Sequence, residues 1–523
     1  MLFFVVALAT ASHYGIGWDN PGHYKVGPYM LEYVLGQKDC TIDGKDYYCL
    51  LVFSNIQYYG PLGDLISYFN YKLFHQGLNW LNEIPARHLH LYLFASLTLG
   101  LITWFGSEIL QPTYGILAGI LLFLHPIFLG FSHLAIKGVP MTFFFTLSMV
   151  CGYFWVETQD SNWFYGFCAA TALGYAVKIS ALASIPILIV YRGLRIRAKP
   201  FDSRKFLKTL LKGGLIGWAT CVLVWPYMWF NPLRIFEPML YFVFKHSWTE
   251  KLLFMGEIYS KNTQPTPFYY TPVMLLIKTP GLQLFGVIGI GLAFLKQFVP
   301  EEDRSYLIWL TIVILVPIAS SMYFSGSRYD ADRQFLFLYP FIALLSAYGW
   351  VALSRWNRGL VSLGFVALCI YTLFRIYTLH PNEIVFYNNL VGQETGAAGE
   401  YELDYYGNVY RQGAEWLNKH AKPGDTVHVP LMGSLTLYFL DEDIGMNERH
   451  ARDADWIMIL PRAGYKPLKD KKPTKVIPRK DLPLLYIYKA TGEMRQRDYH
   501  KYFRKDKSNS NDDQTGSTIS DDS

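Results

Sequence analysis

The chain has 523 residues, of which 52% are hydrophobic and 17% are aromatic, and its mean hydropathy is +0.16. Soluble proteins of this length rarely have so apolar a composition, so the soluble classes are excluded and a polytopic membrane protein is indicated. The formal net charge of +6 does not indicate a nucleic-acid partner, because much of it falls in one basic loop and in the C-terminal part.

The first apolar segment, residues 1–13, lacks the basic start of a signal peptide and is short for a membrane span. We interpret it as a first transmembrane helix whose start is truncated or misassigned. The sequence Trp18-Asp19-Asn20-Pro21-Gly22-His23-Tyr24 follows it. Proline and glycine predict a tight loop there, with a carboxylate and an imidazole just outside the hydrocarbon. Asp19 is therefore a candidate general base, and a solvated aspartate before a turn is the alternative.

Residues 14–87 form the first extramembrane loop. Its second half has apolar residues at helical spacing, which predicts amphipathic helices lying on the membrane surface. Cys40 and Cys49 share this loop. They could form a disulfide if the loop faces an oxidising compartment, and free thiols are the equal alternative.

Further apolar stretches of spanning length recur up to residue 378. The segment 163–191 is too long for one span and carries Lys178 near its middle, where a charge is costly. Two shorter spans that meet near Lys178 would place this residue at an interface. The predicted architecture is then a multi-pass α-helical membrane protein with about eleven transmembrane helices, the later ones at 88–106, 112–131, 139–156, 163–191 as two, 209–229, 268–294, 305–324, 334–353 and 358–378.

Eight basic residues lie between Arg192 and Lys212, which predicts that this loop is cytoplasmic. Counting spans from there places the Asp19 loop, residues 230–267, residues 325–333 and the C-terminal part together on the opposite side. The polar loops would then meet at one face, as an active site requires.

Residues 379–500 are predicted to form a small α/β domain outside the membrane. Tyr410–His420 has a helical pattern, and three apolar stretches, beginning at Thr426, Trp456 and Leu484, have strand patterns. The polar, low-complexity tail 501–523 is predicted to be disordered.

Several short motifs occur in an order that is more specific than any one of them. They are the Trp18–Tyr24 segment, Leu124-His125-Pro126 with Lys137-Gly138-Val139-Pro140, Leu173-Gly174-Tyr175-Ala176-Val177-Lys178, Pro267-Phe268-Tyr269-Tyr270 with Lys278-Thr279-Pro280, Ser327-Arg328-Tyr329 with Asp332-Arg333, Pro381 to Asn388, and Glu402-Leu403-Asp404-Tyr405-Tyr406-Gly407. Over about residues 1–420, this order resembles the polyprenol-phosphate-sugar-dependent membrane glycosyltransferases of the protein O-mannosyltransferase and aminoarabinose-transferase type.

The resemblance implies transfer of a sugar from a lipid-linked phosphate to an acceptor hydroxyl, usually with inversion. Asp19 occupies the position of the catalytic aspartate, and His23 is the rival base. The leaving phosphate needs cations at headgroup depth, and four lie near span ends on the predicted face, although each could be an ordinary interfacial residue. They are Arg333, Lys278, Lys178 and Arg328, and the predicted acceptor or sugar contacts are Asn20, Tyr24, Tyr269 and Tyr270.

Two positions depart from the family pattern. Asn20 stands where a glutamate often follows the loop aspartate, and Lys137 stands where an aspartate often opens the fourth span. Both leave the acceptor undetermined among a protein, a lipid and a glycan. No cofactor or metal is predicted, with a divalent cation as an open alternative.

The predicted partners are a lipid-linked sugar donor and the membrane, either a cell inner membrane or the endoplasmic reticulum. A transporter or flippase and a non-catalytic assembly subunit are the alternative functions. A transporter would favour internal repeats and a midplane site, neither of which the sequence indicates.

Overall fold

The computed structural model describes residues 1–495 with gaps at 37–39, 43–44, 48–54, 199–202, 245–250, 261–263, 296–298, 325–327, 448–450, 463–466 and 469–470. The predicted Cys40–Cys49 disulfide involves Cys49 and therefore lies outside the described residues. The predicted disordered tail 501–523 lies outside them as well.

The part of the chain that the structure describes contains six helices that are long and apolar enough to cross a membrane. Counting two bent helix pairs as one span each raises the number to eight, so the predicted count of about eleven is not confirmed. The chain is a multi-pass membrane protein. The six helices are Glu83–Ile109, Gly138–Thr158, Ser203–Val224, Arg304–Tyr323, Arg333–Ser354 (whose first turn, Arg333–Leu338, is a 3₁₀-helix) and Arg358–Leu379.

Two predicted single spans, 112–131 and 268–294, are each two helices joined at a sharp bend. Pro112–Phe123 and Pro126–Leu134 meet at 64°, and Tyr270–Lys278 and Gly281–Leu295 meet at 111°. A proline lies at each junction, Pro126 and Pro280. Because proline has no N–H and disfavours helical geometry in the residue before it, each preceding helix ends there.

The segment around Lys178 is interrupted, as predicted. The helix Ser161–Tyr175 ends three residues before it, and a 3₁₀ turn at Ile179–Ala183 leads into Ser184–Arg195. The two helices have 15 and 12 residues, and each is shorter than the roughly 20 residues that cross a bilayer. Lys178 therefore lies in a break of the backbone and not inside a continuous helix.

The start of the chain differs from the prediction in two ways. The first helix, Leu2–Thr10, has nine residues and is too short to cross a bilayer alone. The predicted tight loop after Asp19 is wrong, because a helix runs from Asn20 to Val34 with Asp19 at its N-cap. Pro21 lies in the first turn, where its missing N–H has no helical partner to lose.

The remaining helices and the first four strands are short. The helices are Leu62–Asn70, continued by a π-helix at Tyr71–Gly77, then Glu237–Phe244, Gln393–Ala397, Tyr410–His420 and Gly492–Arg495. Two antiparallel hairpins join β1 (Cys40–Ile42) to β2 (Lys45–Tyr47) and β3 (Leu252–Phe254) to β4 (Glu257–Tyr259).

The described residues of the C-terminal part contain five strands, which are β5 (Thr426–His428), β6 (Gly445–Asn447), β7 (Trp456–Ile459), β8 (Lys475–Arg479) and β9 (Leu482–Lys489). They form one mixed sheet in the order β6-β5-β7-β9-β8. Its central strand β7 is parallel to β5 and antiparallel to β9. The helix Tyr410–His420 packs on β9, and its Gly413 lies so close to Leu485 that a side chain would clash there.

One hydrophobic core joins this sheet to the membrane helices. A single cluster of buried apolar side chains extends from Phe3 through the helices to Ile487 on β9. The first loop and the C-terminal part are in direct contact, because the Trp18 N–H donates to the carbonyl of Tyr406 at 2.9 Å. The side of the membrane on which they lie stays a prediction.

Candidate functional site

The centre of the site is an ion-paired group formed by Asp19, Arg333 and Asp330. One guanidinium nitrogen of Arg333 donates to Asp19 Oδ2, and the other donates to Asp330 Oδ2. Arg333 also lies over the Tyr406 ring, 4.7 Å from its centroid, and donates to the Tyr406 hydroxyl at 3.2 Å. Asp19 is the accessible member, since its side chain is 35% exposed against 11% for Arg333.

The charge state of Asp19 follows from these neighbours. Burial raises the pKa of its carboxyl group, but the adjacent Arg333, and after it His23 and Lys178, lower this pKa to about 2. Asp19 is therefore ionised at neutral pH, and its oxygens can only accept hydrogen bonds.

Lys178 brings a further cation to the same place. Its Nζ donates to Gln334 Oε1 at 2.6 Å, and among the described residues no carboxylate lies within ion-pair distance of it. Burial and then the positive charge of Arg333 lower the Lys178 pKa to about 7. Lys178 is thus a cation held close to Asp19 without a direct anionic partner.

His23 lies one helical turn after Asp19 and belongs to a second ion group. Its Nδ1 is 3.4 Å from Asp64 Oδ1, and Lys137 Nζ is 3.2 Å from Asp64 Oδ2. Burial raises the pKa of Asp64, but the positive charges of Lys137 and His23 lower it by more than burial raises it. The pKa of Asp64 is therefore below its usual value. Lys137, the residue that departs from the family pattern, is therefore neutralised by a buried carboxylate.

Asn20 and Tyr24 lie next to the site but do not face it. Both are buried, and both contact His88 Nε2, at 3.2 Å from Asn20 Nδ2 and 2.8 Å from the Tyr24 hydroxyl. Arg87 covers the Tyr24 ring at 4.5 Å. These contacts favour a role in fixing the start of the helix Asn20–Val34 over the predicted contact with acceptor or sugar.

The structure also encloses Lys278. This side chain is fully buried, its Nζ donates to the carbonyl of Ile384 at 3.0 Å, and it lies 3.8 Å from the centroid of the Tyr387 ring. A residue with no accessible surface is poorly placed to take up a lipid phosphate. Its contacts favour a structural role over the predicted phosphate-binding role.

The remaining predicted residues differ in exposure: Arg328 and Tyr269 reach the surface, whereas Tyr270 is buried and supports a turn. Arg328 is partly exposed and donates to the carbonyl of Thr266 at 2.9 Å. Tyr269 is exposed, whereas Tyr270 is buried and its hydroxyl accepts from the Ala331 N–H at 2.8 Å. The structure therefore gathers Asp19, Arg333 and Lys178, and it assigns Tyr270 to holding the turn that precedes Arg333.

Three residues of the site were not singled out by the sequence. Tyr406 belongs to a motif that the resemblance quoted, and Asp330 lies between two quoted segments that end at Tyr329 and begin at Asp332, so the neighbourhood of both residues carried a signal. Arg462 carried none, because it follows strand β7 in a part of the chain that no motif covered. Within the described ranges, no group of three or more His, Cys, Asp or Glu side chains is placed so that it could hold a metal ion. The expectation that the protein needs no metal stays a prediction.

No protein-family model matches the chain, and no curated protein matches it in sequence. Solved structures do match. The apo structure of ArnT from Cupriavidus metallidurans aligns with 13% identity over 95% of this chain and 98% of that one, with a TM-score of 0.51. The structure of the same protein bound to undecaprenyl phosphate aligns with 14% identity over 85% of each chain, with a TM-score of 0.50.

These likenesses establish a fold. At such low identity they confirm the resemblance seen in the sequence at the level of the fold only: the chain has the fold of ArnT. The alignment with the apo structure covers nearly the whole chain.

Proposed function

We propose that this chain is a membrane glycosyltransferase that moves a sugar from a polyprenyl-phosphate donor to an acceptor hydroxyl on the extracytoplasmic side. The observation that carries the proposal is an ionised, accessible carboxylate, Asp19, held beside Arg333 and Lys178. The fold shared with ArnT, one structure of which binds undecaprenyl phosphate, supports the same class of donor.

The transfer requires one bond to form and one to break. The acceptor oxygen attacks the anomeric carbon of the sugar, and the bond from that carbon to the phosphate oxygen breaks. The electron pair of that bond leaves with the phosphate, and the hydroxyl proton passes to Asp19. An accessible carboxylate suits the proton transfer, and adjacent cations suit the charge that grows on the phosphate.

Arg333 links the two halves of this reaction. In the resting site its charge is shared between Asp19 and Asp330, and this keeps the Asp19 pKa near 2. A donor phosphate that engages Arg333 draws part of that charge away from Asp19. The pKa of Asp19 then rises, so the carboxylate becomes a stronger base when the donor is bound.

The function is tested with the purified protein in liposomes and a panel of radiolabelled polyprenyl-phosphate sugars, each with a candidate acceptor. We expect transfer from at least one donor, and transfer that is at least about 100-fold slower with the Asp19→Asn variant. Donor binding without transfer from any sugar would favour a non-catalytic assembly subunit. Movement of the donor across the bilayer without transfer would favour a flippase.

A pH prediction follows from Lys178. A lysine whose pKa is lowered to about 7 carries its phosphate-binding charge below pH 7 and loses it as the pH rises above 7. One charge-assisted contact contributes about 1.5–3 kcal/mol, so kcat/KM for the donor should fall about tenfold or more between pH 7 and pH 9. Arginine stays protonated throughout this range.

The matched variant Lys178→Arg should therefore lack the alkaline fall, while Lys178→Ala should be weak at every pH. Initial rates at subsaturating donor from pH 6 to pH 9 measure this. A flat wild-type profile, or an unchanged alkaline limb in Lys178→Arg, would remove Lys178 from the phosphate site.

A further inference from the structure

Arg462 is a buried cation that connects the C-terminal sheet to the loops around Asp19. It lies three residues after the end of β7, and its side chain is 5% exposed. Its Nη2 donates to Asp330 Oδ1 at 2.8 Å, and its Nε is 3.5 Å from Glu402 Oε1. Its Nη1 donates to the carbonyl of Tyr405.

The same guanidinium also contacts the first loop. It lies over the Trp18 ring, 4.5 Å from its centroid, and Trp18 directly precedes Asp19. The Trp18 N–H donates to the carbonyl of Tyr406 at 2.9 Å. Arg462 thus touches the segment that carries Asp19, the turn that precedes Arg333, and the segment that carries Tyr406.

The turn before Arg333 needs such a support. Asp330 and Ala331 have φ angles of +53° and +51°, and residues that carry a side chain are disfavoured in this left-handed region. The turn is held by the bond from the Ala331 N–H to Tyr270 and by the two arginines that take the two oxygens of Asp330, Arg462 on Oδ1 and Arg333 on Oδ2.

Arg462 occupies Oδ1 of Asp330, and Arg333 contacts Asp330 through Oδ2 alone. One nitrogen of the Arg333 fork is therefore left for Asp19. Without Arg462, both oxygens of Asp330 would be free to bind the Arg333 fork side by side, the preferred geometry of an arginine–carboxylate pair. Arg333 would then turn away from Asp19 toward Asp330.

We propose that Arg462 is a positioning residue for the transfer reaction: by occupying Asp330 it directs Arg333 toward Asp19. This inference rests on the proposed function for its kinetic consequence only. Its structural consequence, the position of Arg333, can be measured on the full-length protein without any activity.

The kinetic test compares Arg462→Met, which keeps the length of the side chain but not its charge, with Arg462→Lys, which keeps the charge. A matched control is Arg411→Met, because Arg411 also joins the C-terminal part to the first loop, by donating to the carbonyl of Tyr14 at 2.9 Å. We expect kcat of Arg462→Met to fall about 10- to 100-fold, Arg462→Lys to regain part of it, and Arg411→Met to stay within about twofold of wild type.

The pH profile separates positioning from loss of folding. The titratable and charged groups that face Asp19 are Arg333, His23, Lys178, Tyr406, Tyr59 and Tyr329. All of them remain in the variant, so only the position of Arg333 changes. Losing a neighbouring cation raises the pKa of an aspartate by about 1–3 units. The acid limb of the pH–rate profile should therefore move to higher pH in Arg462→Met and stay at the wild-type pH in Arg411→Met.

The decisive measurement is the cryo-electron microscopy structure of Arg462→Met, with Arg462→Lys as the second variant if the first does not fold. In Arg462→Met we expect both terminal nitrogens of Arg333 to donate to Asp330 and neither to donate to Asp19. In Arg462→Lys we expect Arg333 to bind Asp19 and Asp330 as in the wild type. If Arg333 remains on Asp19 in a variant whose kcat has fallen, or if neither kcat nor Arg333 changes, the inference is overturned. If Arg333 moves but the wild type transfers no sugar, the proposed function fails and the positioning role stands.

Discussion

Replacement of Asp19 with asparagine is expected to lower turnover about 100- to 10,000-fold, the range that general-base catalysis contributes. Asparagine keeps the shape and one acceptor oxygen, but an amide is not a useful base at neutral pH. The Asp19 side chain is partly exposed, so losing its ion pair should change the free energy of unfolding by only about 0–1 kcal/mol. Donor binding should also persist, because Arg333 and Lys178 remain.

The measurement is kcat with saturating donor, together with thermal unfolding and binding of the donor lipid. His23→Gln is the informative comparison, because His23 is the rival base and lies one turn away on the same helix. It is paired with Asp64, and we expect the His23 variant to keep most of its turnover. An inactive His23→Gln beside a near-normal Asp19→Asn would transfer the role of base to His23.

Replacement of Arg333 with alanine is expected to reduce kcat/KM for the donor by about 100-fold or more. The variant loses a charge-assisted contact with the phosphate, and such a contact contributes about 1.5–3 kcal/mol. It also loses the guanidinium group that orients the Asp19 carboxylate. Arg333→Lys should be intermediate, since an ammonium group keeps the charge but cannot bridge two carboxylates as a planar fork does.

Stability should fall as well in Arg333→Ala. Asp330 is buried and keeps Arg462 as a partner, so we expect a loss of about 1–3 kcal/mol in the free energy of unfolding. Arg304→Ala is the matched control, because Arg304 is an exposed arginine paired with an exposed glutamate three residues away. That variant should change neither rate nor stability measurably. An Arg333→Ala protein with wild-type donor kinetics would remove Arg333 from the phosphate site.

The sequence by itself determined the class of protein and the places of its long apolar helices. Apolar length is a local property, so the helices from Glu83–Ile109 to Arg358–Leu379 could be located from composition. A lysine in an over-long apolar stretch is costly in a bilayer, so the break at Lys178 could also be inferred. The strands at Trp456 and Leu484 were located for the same reason, because short apolar runs with β-branched and aromatic residues are local signals.

Only the tertiary structure decided which charges meet. Arg333 pairs with Asp19 across 314 positions of the chain, and Arg462 reaches Asp330 across 132, and no local pattern encodes either partner. Lys278 and Lys178 look alike in sequence, as single lysines within long apolar stretches. The first is enclosed by Ile384 and Tyr387. The second lies beside Asp19, and no carboxylate of the described ranges is within ion-pair distance of it. Burial and ion pairing depend on what other segments pack against a residue and not on the residues next to it.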